Sequence, residues 1–181
     1  DAAKVLQKTD EIFAQFELMQ KKQRLLLNSH KDQKRPKPIL SLIKYTIHEA
    51  LAATDIALES SLPEKEYMIP IVEEQISTLV ECLTSNAIGA MPDGGTLHVT
   101  SQEISLNDEQ GIPLPVGHYL RISLEDNGVG ISPDNLAKIF DPYFSCKEMG
   151  ALKGMGLGLS ICQTIAINHG GMLSVESQPG E

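Results

Sequence analysis

The chain has 181 residues, of which 41% are hydrophobic and 22% charged, and its formal net charge is −9. This composition is typical of a globular protein with one hydrophobic core, or with a core and one appended element. The negative charge argues against a general binder of nucleic acid or of anionic membranes, because both need a surplus of Lys and Arg. A local anion-binding pocket stays open, since net charge does not determine a single site.

Cysteine use and chain ends indicate where the protein works. Three cysteines, Cys82, Cys146 and Cys162, are scattered without CxxC spacing, which is typical of a reducing compartment, so we expect a cytoplasmic location. No apolar run reaches membrane-spanning length, and no signal peptide is visible. The chain begins without Met and ends at "SQPGE", so we expect it to be cut from a longer protein, in which a membrane segment can lie elsewhere.

The first 28 residues contain neither Gly nor Pro, and their apolar residues recur every three to four positions. This spacing predicts a long amphipathic helix, Asp1–Asn28, which needs a partner helix or a second copy of the chain to bury its stripe. The basic segment "SHKDQKRPKP", Ser29–Pro38, follows and contains two prolines, so it is predicted to be a linker and a domain boundary.

The next segments alternate between helical and strand patterns. "ILSLIKYTIHEALAA" has helical periodicity, "IALESS" (Ile56–Ser61) alternates like a strand, and "SLPEKEY" is predicted to be a turn. A long helix is predicted over Ile71–Met91, closed by the turn "PDGG". "TLHVTSQEISL" and "HYLRISLED" both alternate with period two and are predicted to pair as a hairpin.

In the last third of the chain, the sequence predicts a short helix after Pro133, a glycine-rich segment, and a helix that ends near His169 and is capped by Gly170. A strand is predicted near Met172–Glu176. Helices and strands are mixed without strict alternation, which favours an α+β fold: one helical layer on a mixed sheet, a two-layer α/β sandwich.

Three short segments carry residues suited to a ligand, and each has a second interpretation. "LEDNGVGIS" places Asp126 at a strand end, where its carboxylate can accept a hydrogen bond from an exocyclic amine; the alternative is a simple turn. "KGMGLGLS" leads glycines into a helix whose N-terminal N–H groups can bind an anion; the alternative is a mobile loop. In "SNAIGAMPDGG", Asn86 is either a Mg²⁺ ligand or a partly buried residue bonded to backbone.

In this order, the segments resemble the ATP-binding catalytic domain of bacterial sensor histidine kinases, in the superfamily that also holds DNA gyrase, the ninety-kilodalton heat-shock chaperone and MutL. "LTSNAIGAMPDGG" resembles the N box, "EDNGVGIS" the G1 box, "IFDPYFSCKEMG" the F box, and "KGMGLGLSICQTIAINHGG" the G2 box. The resemblance begins near Pro38 and covers roughly four-fifths of the chain, and "SQPGE" stops where the last glycine motif of the family would begin.

The resemblance implies a site for ATP and Mg²⁺, with Asp126 binding the adenine amine and Asn86 ligating the metal. It implies that Tyr143 and residues 145–153 form a lid over the nucleotide, and that residues 154–159 close on the phosphates. The positions that it assigns to the nucleotide are Asn86, Asp126, Gly128, Gly130, Tyr143, Lys147, Lys153, Gly154, Met155, Gly156, Leu157, Gly158 and Leu159.

The resemblance also implies partners and a reaction. Residues 1–37 would be the second helix of the dimerisation and phosphotransfer hairpin with its linker, and residues 38–181 the catalytic domain, so the partners would be a second copy of the chain and a response regulator receiver domain. The reaction would be transfer of the γ-phosphoryl group of ATP to a histidine on the first helix of that hairpin, and then to an aspartate of the response regulator.

Two features depart from the family pattern. His30 is followed by Lys31 instead of an acid, and His48 is followed by Glu49 but has no proline nearby, so neither matches the phosphoacceptor motif and we expect the acceptor outside this chain. Cys82 lies four residues before Asn86, where many kinases carry another Asn and the ATPase branches carry a water-activating Glu. Cysteine does neither, which motivates one alternative, a nucleotide-binding pseudokinase. A gyrase- or chaperone-type ATPase clamp is the less favoured alternative, because the water-activating Glu is absent.

Overall fold

The computed structural model describes residues 34–108, 111–144 and 156–180, which belong to one compact unit, Lys34–Glu181. The helix predicted at Asp1–Asn28 lies outside the described residues. None of the helices in the described ranges is long and apolar enough to cross a membrane. The elements are, in order, β1 (Arg35–Pro38), α1 (Ile39–Leu51), β2 (Ile56–Ser61), β3 (Met68–Ile71), α2 (Glu73–Ala90), β4 (Gly95–Leu106), β5 (Gly117–Asp126), α3 (Pro133–Leu136) and α4 (Gly158–Asn168).

The larger sheet has three strands in the order β2-β4-β5. Strand β2 runs parallel to β4, and β4 pairs antiparallel with β5 from Leu97 opposite Asp126 to Leu106 opposite Gly117. The predicted mixed sheet and the predicted hairpin are therefore confirmed. The alternation of β4 buries Leu97 and Val99 on one face, while the residue between them is exposed to solvent.

The core lies between the buried face of this sheet and the helices. Helix α1 contributes residues at helical spacing, and α2 contributes a second stripe, so both helices form one layer on the sheet. The most deeply buried hydrophobic residues of this cluster are Ile43, Ile47, Val80, Leu97 and Val99. The two-layer α/β sandwich that the sequence predicts is the fold of the described unit.

The N-terminus of α1 is capped by a carboxylate from another part of the chain. Pro38 offers no capping side chain, and Glu66 accepts hydrogen bonds from the Leu40 N–H at 2.8 Å, the Ser41 N–H at 3.1 Å and the Ser41 hydroxyl at 2.6 Å. Burial opposes the charged form, but the hydrogen bonds from Ser41, Leu40 and Tyr67 outweigh it and lower the pKa of Glu66. A charged side chain therefore satisfies N–H groups that the helix itself leaves unpaired.

Two parts of the chain differ from the sequence-based expectation. Arg35–Pro38, expected in a linker, is strand β1 and pairs antiparallel with β3. No strand is predicted at β3 from the sequence, and its last residue, Ile71, is expected to start the long helix. Prolines remove two of the N–H donors of β1, so its strand pattern is weak in the sequence. The strand predicted near Met172–Glu176 was wrong: these residues alternate between half-buried and exposed but pair with no strand of the described chain.

Candidate functional site

The candidate site begins at the end of β5, where Asp126 lies half-buried. Asp126 is paired across the sheet with Leu97, which is fully buried, so the backbone at this strand end is held by the core. One carboxylate oxygen, Oδ1, accepts a hydrogen bond from the Gly128 N–H at 3.1 Å. The turn thus orients the carboxylate through its own backbone, as Asp commonly does at the start of a turn.

The turn after Asp126 is tied to three other parts of the fold. Asn127 Oδ1 accepts a hydrogen bond from the Thr96 N–H at 2.9 Å, which joins the turn to the start of β4. The Val129 N–H donates to the Ala90 carbonyl at 3.0 Å, which joins it to the end of α2. The Gly180 N–H donates to the Val129 carbonyl at 3.2 Å, which joins it to the C-terminal segment.

Gly128 and Gly130 are required by contacts within the protein. A Cβ on Gly128 would lie 2.6 Å from the Ala90 carbonyl oxygen and 2.7 Å from Asp126 Oδ1. Gly130 has a φ of +69°, and a Cβ there would collide with the backbone of Gln178. The sequence reasoning placed glycines here for a flat ligand; in the structure, the atoms that exclude a Cβ belong to the protein.

Asn86 lies on α2 between two contacts that this helix makes with the glycine segments, which are the turn with Gly128 and the segment with Gly158. Cys82, Asn86 and Ala90 are spaced four residues apart, so they follow one another along one face of the helix. Ala90 faces Gly128 in the turn after β5, and Cys82 faces Gly158 at the start of α4. The Asn86 side chain stands between them and is exposed, which does not agree with a partly buried Asn.

The second glycine segment contacts the end of the aromatic segment "IFDPYF". The Tyr143 N–H donates to the Gly156 carbonyl at 3.0 Å, so these two described residues lie next to each other although they are 13 positions apart in the sequence. Both residues have positive φ, 69° for Tyr143 and +65° for Gly156. A Cβ on Gly156 would collide with the backbone of Tyr143 and Phe144, so this position requires glycine. The Tyr143 side chain is 77% exposed and is available to contact a ligand or partner.

The remaining predicted site residues fall into two groups. Leu157, Gly158 and Leu159 are half-buried where α4 begins, next to α2. Lys147, Lys153, Gly154 and Met155 lie outside the described residues, as does His30, so their roles stay predictions. Asn127 was missed as a site residue, although the adjacent Asn and Gly that follow Asp126 are a common turn signal.

The described residues fit a nucleotide with a metal ion. They contain no group of three or more His, Cys, Asp or Glu that could hold a metal by itself. A metal at Asn86 would depend on its amide oxygen together with phosphate oxygens and water, which is how proteins usually bind Mg²⁺ with nucleotides. The start of α4, with its N-terminal N–H groups, lies against the same face of α2 and suits a phosphate. Fold and site together define a nucleotide-binding α/β domain.

Comparison with known proteins specifies the class. Residues 71–181 match the family described as histidine kinase-, DNA gyrase B-, and HSP90-like ATPase. The chain is 39% identical over 102 residues to the sensor kinase CckA of Brucella abortus, a match that covers 55% of this chain and 11% of CckA. It is 31% identical over 123 residues to the sensor histidine kinase WalK of Bacillus subtilis, covering 67% of this chain and 18% of WalK.

A solved structure shows the same fold. The mycobacterial sensor histidine kinase MprB superposes with a TM-score of 0.60 at 20% identity, over 76% of this chain and 80% of that chain. The present chain therefore belongs to the histidine kinase-, DNA gyrase B-, and HSP90-like ATPase family, with an ATP-binding catalytic domain of the sensor histidine kinase type. It spans 11% of the length of CckA and 18% of the length of WalK.

Proposed function

We propose that this chain is the ATP-binding kinase core of a two-component sensor histidine kinase. It transfers the γ-phosphoryl group of ATP to a histidine of the kinase, from which the group passes to an aspartate of a response regulator. The position of Asn86, exposed between the contacts of α2 with the two glycine segments, carries the proposal. In this proposal the Asn86 amide oxygen, the Asp126 carboxylate and the N-terminus of α4 serve one site, which suits ATP and Mg²⁺.

Each described residue has a distinct task in this proposal. The Asp126 carboxylate accepts a hydrogen bond from the adenine amine, while Gly128 and Gly130 hold the turn that presents it. Asn86 supplies an amide oxygen to Mg²⁺, which neutralises phosphate charge when it is bound. Gly156, Leu157, Gly158 and Leu159 place the start of α4 beside the phosphates. The protein contributes position and charge neutralisation, because phosphoryl transfer needs little covalent chemistry from this domain.

Partners and location follow from the same proposal. The segment Asp1–Asn28, with its predicted apolar stripe, pairs in a homodimeric helical bundle, and the receiver domain of a response regulator is the second partner. The domain works in the cytoplasm, where ATP is available, and any membrane attachment belongs to other regions of the protein. Its net charge of −9 gives no reason to expect nucleic-acid binding.

A pseudokinase is the alternative that Cys82 favours, because a thiol replaces an oxygen- or nitrogen-bearing side chain next to Asn86. The relatives CckA and WalK are named as sensor kinases, which favours the active enzyme over this alternative and over an ATPase clamp. Incubation of the full-length protein with γ-labelled ATP decides between them. Acid-labile, base-stable label on the protein supports the kinase; nucleotide binding without label supports the pseudokinase, and steady-state hydrolysis by this chain supports the clamp.

Nucleotide binding itself is tested by Asp126→Asn, measured by titration calorimetry with ADP and Mg²⁺. A hydrogen bond to a charged group contributes about 1.5–3 kcal/mol, so we expect affinity to fall roughly 10- to 100-fold. Asp134→Asn, in the first turn of α3, is the matched control and leaves the affinity unchanged. Equal affinities of the two variants would show that the Asp126 carboxylate does not bind adenine.

A further inference from the structure

Cys82 occupies the space beside the first residue of α4. A Cβ on Gly158 would lie 2.7 Å from Cys82 Sγ, which is much closer than an ordinary contact. Apart from the neighbours of Gly158 and the backbone of its own helix, no other atom of the described residues lies within 4 Å of that Cβ position. Among the described residues, the thiol is therefore the group that limits the side chain at position 158.

The neighbouring glycine is limited in a different way. A Cβ on Gly156 would meet backbone atoms of Tyr143 and Phe144, and the φ of +65° at Gly156 disfavours any side chain. Backbone atoms cannot rotate aside, whereas the contact at Gly158 is with a single side chain. The two glycines thus provide a matched pair, in which only Gly158 depends on Cys82.

A second cysteine in the same helix pair lies in the core. Cys162 lies one turn into α4, is fully buried, and donates a hydrogen bond from its thiol to the Leu79 carbonyl of α2 at 3.8 Å. Cys82 is instead half-buried and lies next to the start of α4, one turn of α2 before the exposed Asn86. A change at Cys162 alters the core between the helices, while a change at Cys82 alters the edge that faces the proposed phosphate site.

We propose that Cys82 is a positioning residue of the nucleotide site. Its thiol sets how closely the first turn of α4 approaches α2, and therefore where the N–H groups of that turn lie relative to Asn86. The inference rests on the proposed function, because those N–H groups matter only if the phosphates lie there. Cys82 acts through its volume and not as a ligand, so the position calls for a small side chain of similar shape.

A double-mutant cycle on the whole chain tests the contact. ADP with Mg²⁺ is titrated into the wild type, Gly158→Ala, Cys82→Ala and the double variant, and the same cycle is made with Gly156→Ala in place of Gly158→Ala. We expect Gly158→Ala to weaken affinity by about tenfold or more, and Cys82→Ala in that background to recover most of the loss. No recovery is expected with Gly156→Ala. Equal affinities of Gly158→Ala and its double variant, or equal recovery in both cycles, would overturn the proposal.

Single variants keep the test decisive if Gly158→Ala does not fold. We expect Cys82→Ala to weaken ADP binding by about threefold or more, and Cys82→Ser, which preserves the shape of the side chain, to stay within about twofold of the wild type. Cys162→Ala is expected to lower Tm but to leave affinity unchanged. Wild-type affinity in Cys82→Ala, or an equal loss of affinity in Cys162→Ala, would refute a positioning role. Failure of the wild type to bind ADP would instead refute the proposed function.

Discussion

The substitution Gly128→Ala tests how tightly the turn after β5 is joined to the end of α2. The added Cβ would lie 2.6 Å from the Ala90 carbonyl oxygen, 2.7 Å from Ala90 Cβ and 2.7 Å from Asp126 Oδ1. Ordinary contacts of a Cβ begin at 3.4 Å, so the nearest atom must move by 3.4 − 2.6 = 0.8 Å. That atom is backbone in a helix, and it cannot turn aside as a flexible side chain would.

The strain has a calculable effect on stability. Relief requires that α2 and the turn separate, which also stretches the hydrogen bond from the Val129 N–H to the Ala90 carbonyl, now 3.0 Å long. Overpacking costs about 1–3 kcal/mol and a lost hydrogen bond about 1 kcal/mol, so we expect the free energy of unfolding to fall by about 2–4 kcal/mol. For a domain of this size the corresponding decrease in Tm is about 5–15 °C.

Urea unfolding followed by circular dichroism measures this change. Gly117→Ala is the matched control, because it lies at the other end of β5 from the turn, and the one atom of the described residues that its Cβ would meet within 4 Å is Tyr119 Cε2, at 3.6 Å. We expect the control to alter stability by less than about 1 kcal/mol, and in the stabilising direction. If Gly128→Ala were as stable as Gly117→Ala, the close packing of the turn on α2 would be incorrect.

Three further predictions concern other parts of the fold and site. Glu66→Gln should lower the free energy of unfolding at neutral pH by about 1 kcal/mol in denaturant titrations, because an amide replaces the carboxylate that caps α1. Burial lowers the pKa of His169 from its usual 6.5. The hydrogen bond with the Ile165 carbonyl raises this pKa, and the charge of Lys34 lowers it further. His169 Nε2 accepts a hydrogen bond from the Val72 N–H at 3.1 Å. The unfolded chain therefore binds the proton more tightly, so the stability that neutral His169 contributes is complete above pH 6.5 and is lost as the pH falls below it. In urea titrations, the free energy of unfolding of His169→Gln should fall less between neutral and mildly acidic pH than that of the wild type. Asn86→Ala should reduce ATP affinity in Mg²⁺ but not in EDTA, as measured by calorimetry; an equal loss in both buffers would exclude metal ligation.

The larger sheet and the long helices could be predicted from the sequence because their signals are local. The alternation of β4 and β5 and the helical spacing of α1 and α2 each lie within one segment, and burial of one face follows from that spacing. Strands β1 and β3 are different, since each has four residues and at least one proline. Their structure comes from pairing between segments 30 residues or more apart, as with Pro38 and Met68, which a local pattern does not show.

The candidate site could be predicted as a set of residues, but the reasons for some of them could not. Asp126 and Asn86 were chosen for their chemistry, and the structure places them on neighbouring elements. Gly128 and Gly130 were chosen to admit a ligand, whereas their nearest obstacles are Ala90 and Gln178. Which atom excludes a side chain depends on contacts between distant segments, so sequence alone could identify the glycines but not their cause.

The face of α2 that carries Cys82, Asn86 and Ala90 contacts both glycine segments of the proposed site. Each segment comes close to α2 only because it lacks a Cβ where the helix has a side chain or carbonyl group: Gly158 at Cys82 and Gly128 at Ala90. Residues at the ends of this row therefore set the spacing between α2 and the two segments, and in the proposed function Asn86 in the middle acts through its amide. It follows that a larger residue at Ala90 should separate the turn from α2 as Gly128→Ala does, while a residue of equal size at Asn86 should change metal binding and leave the packing intact.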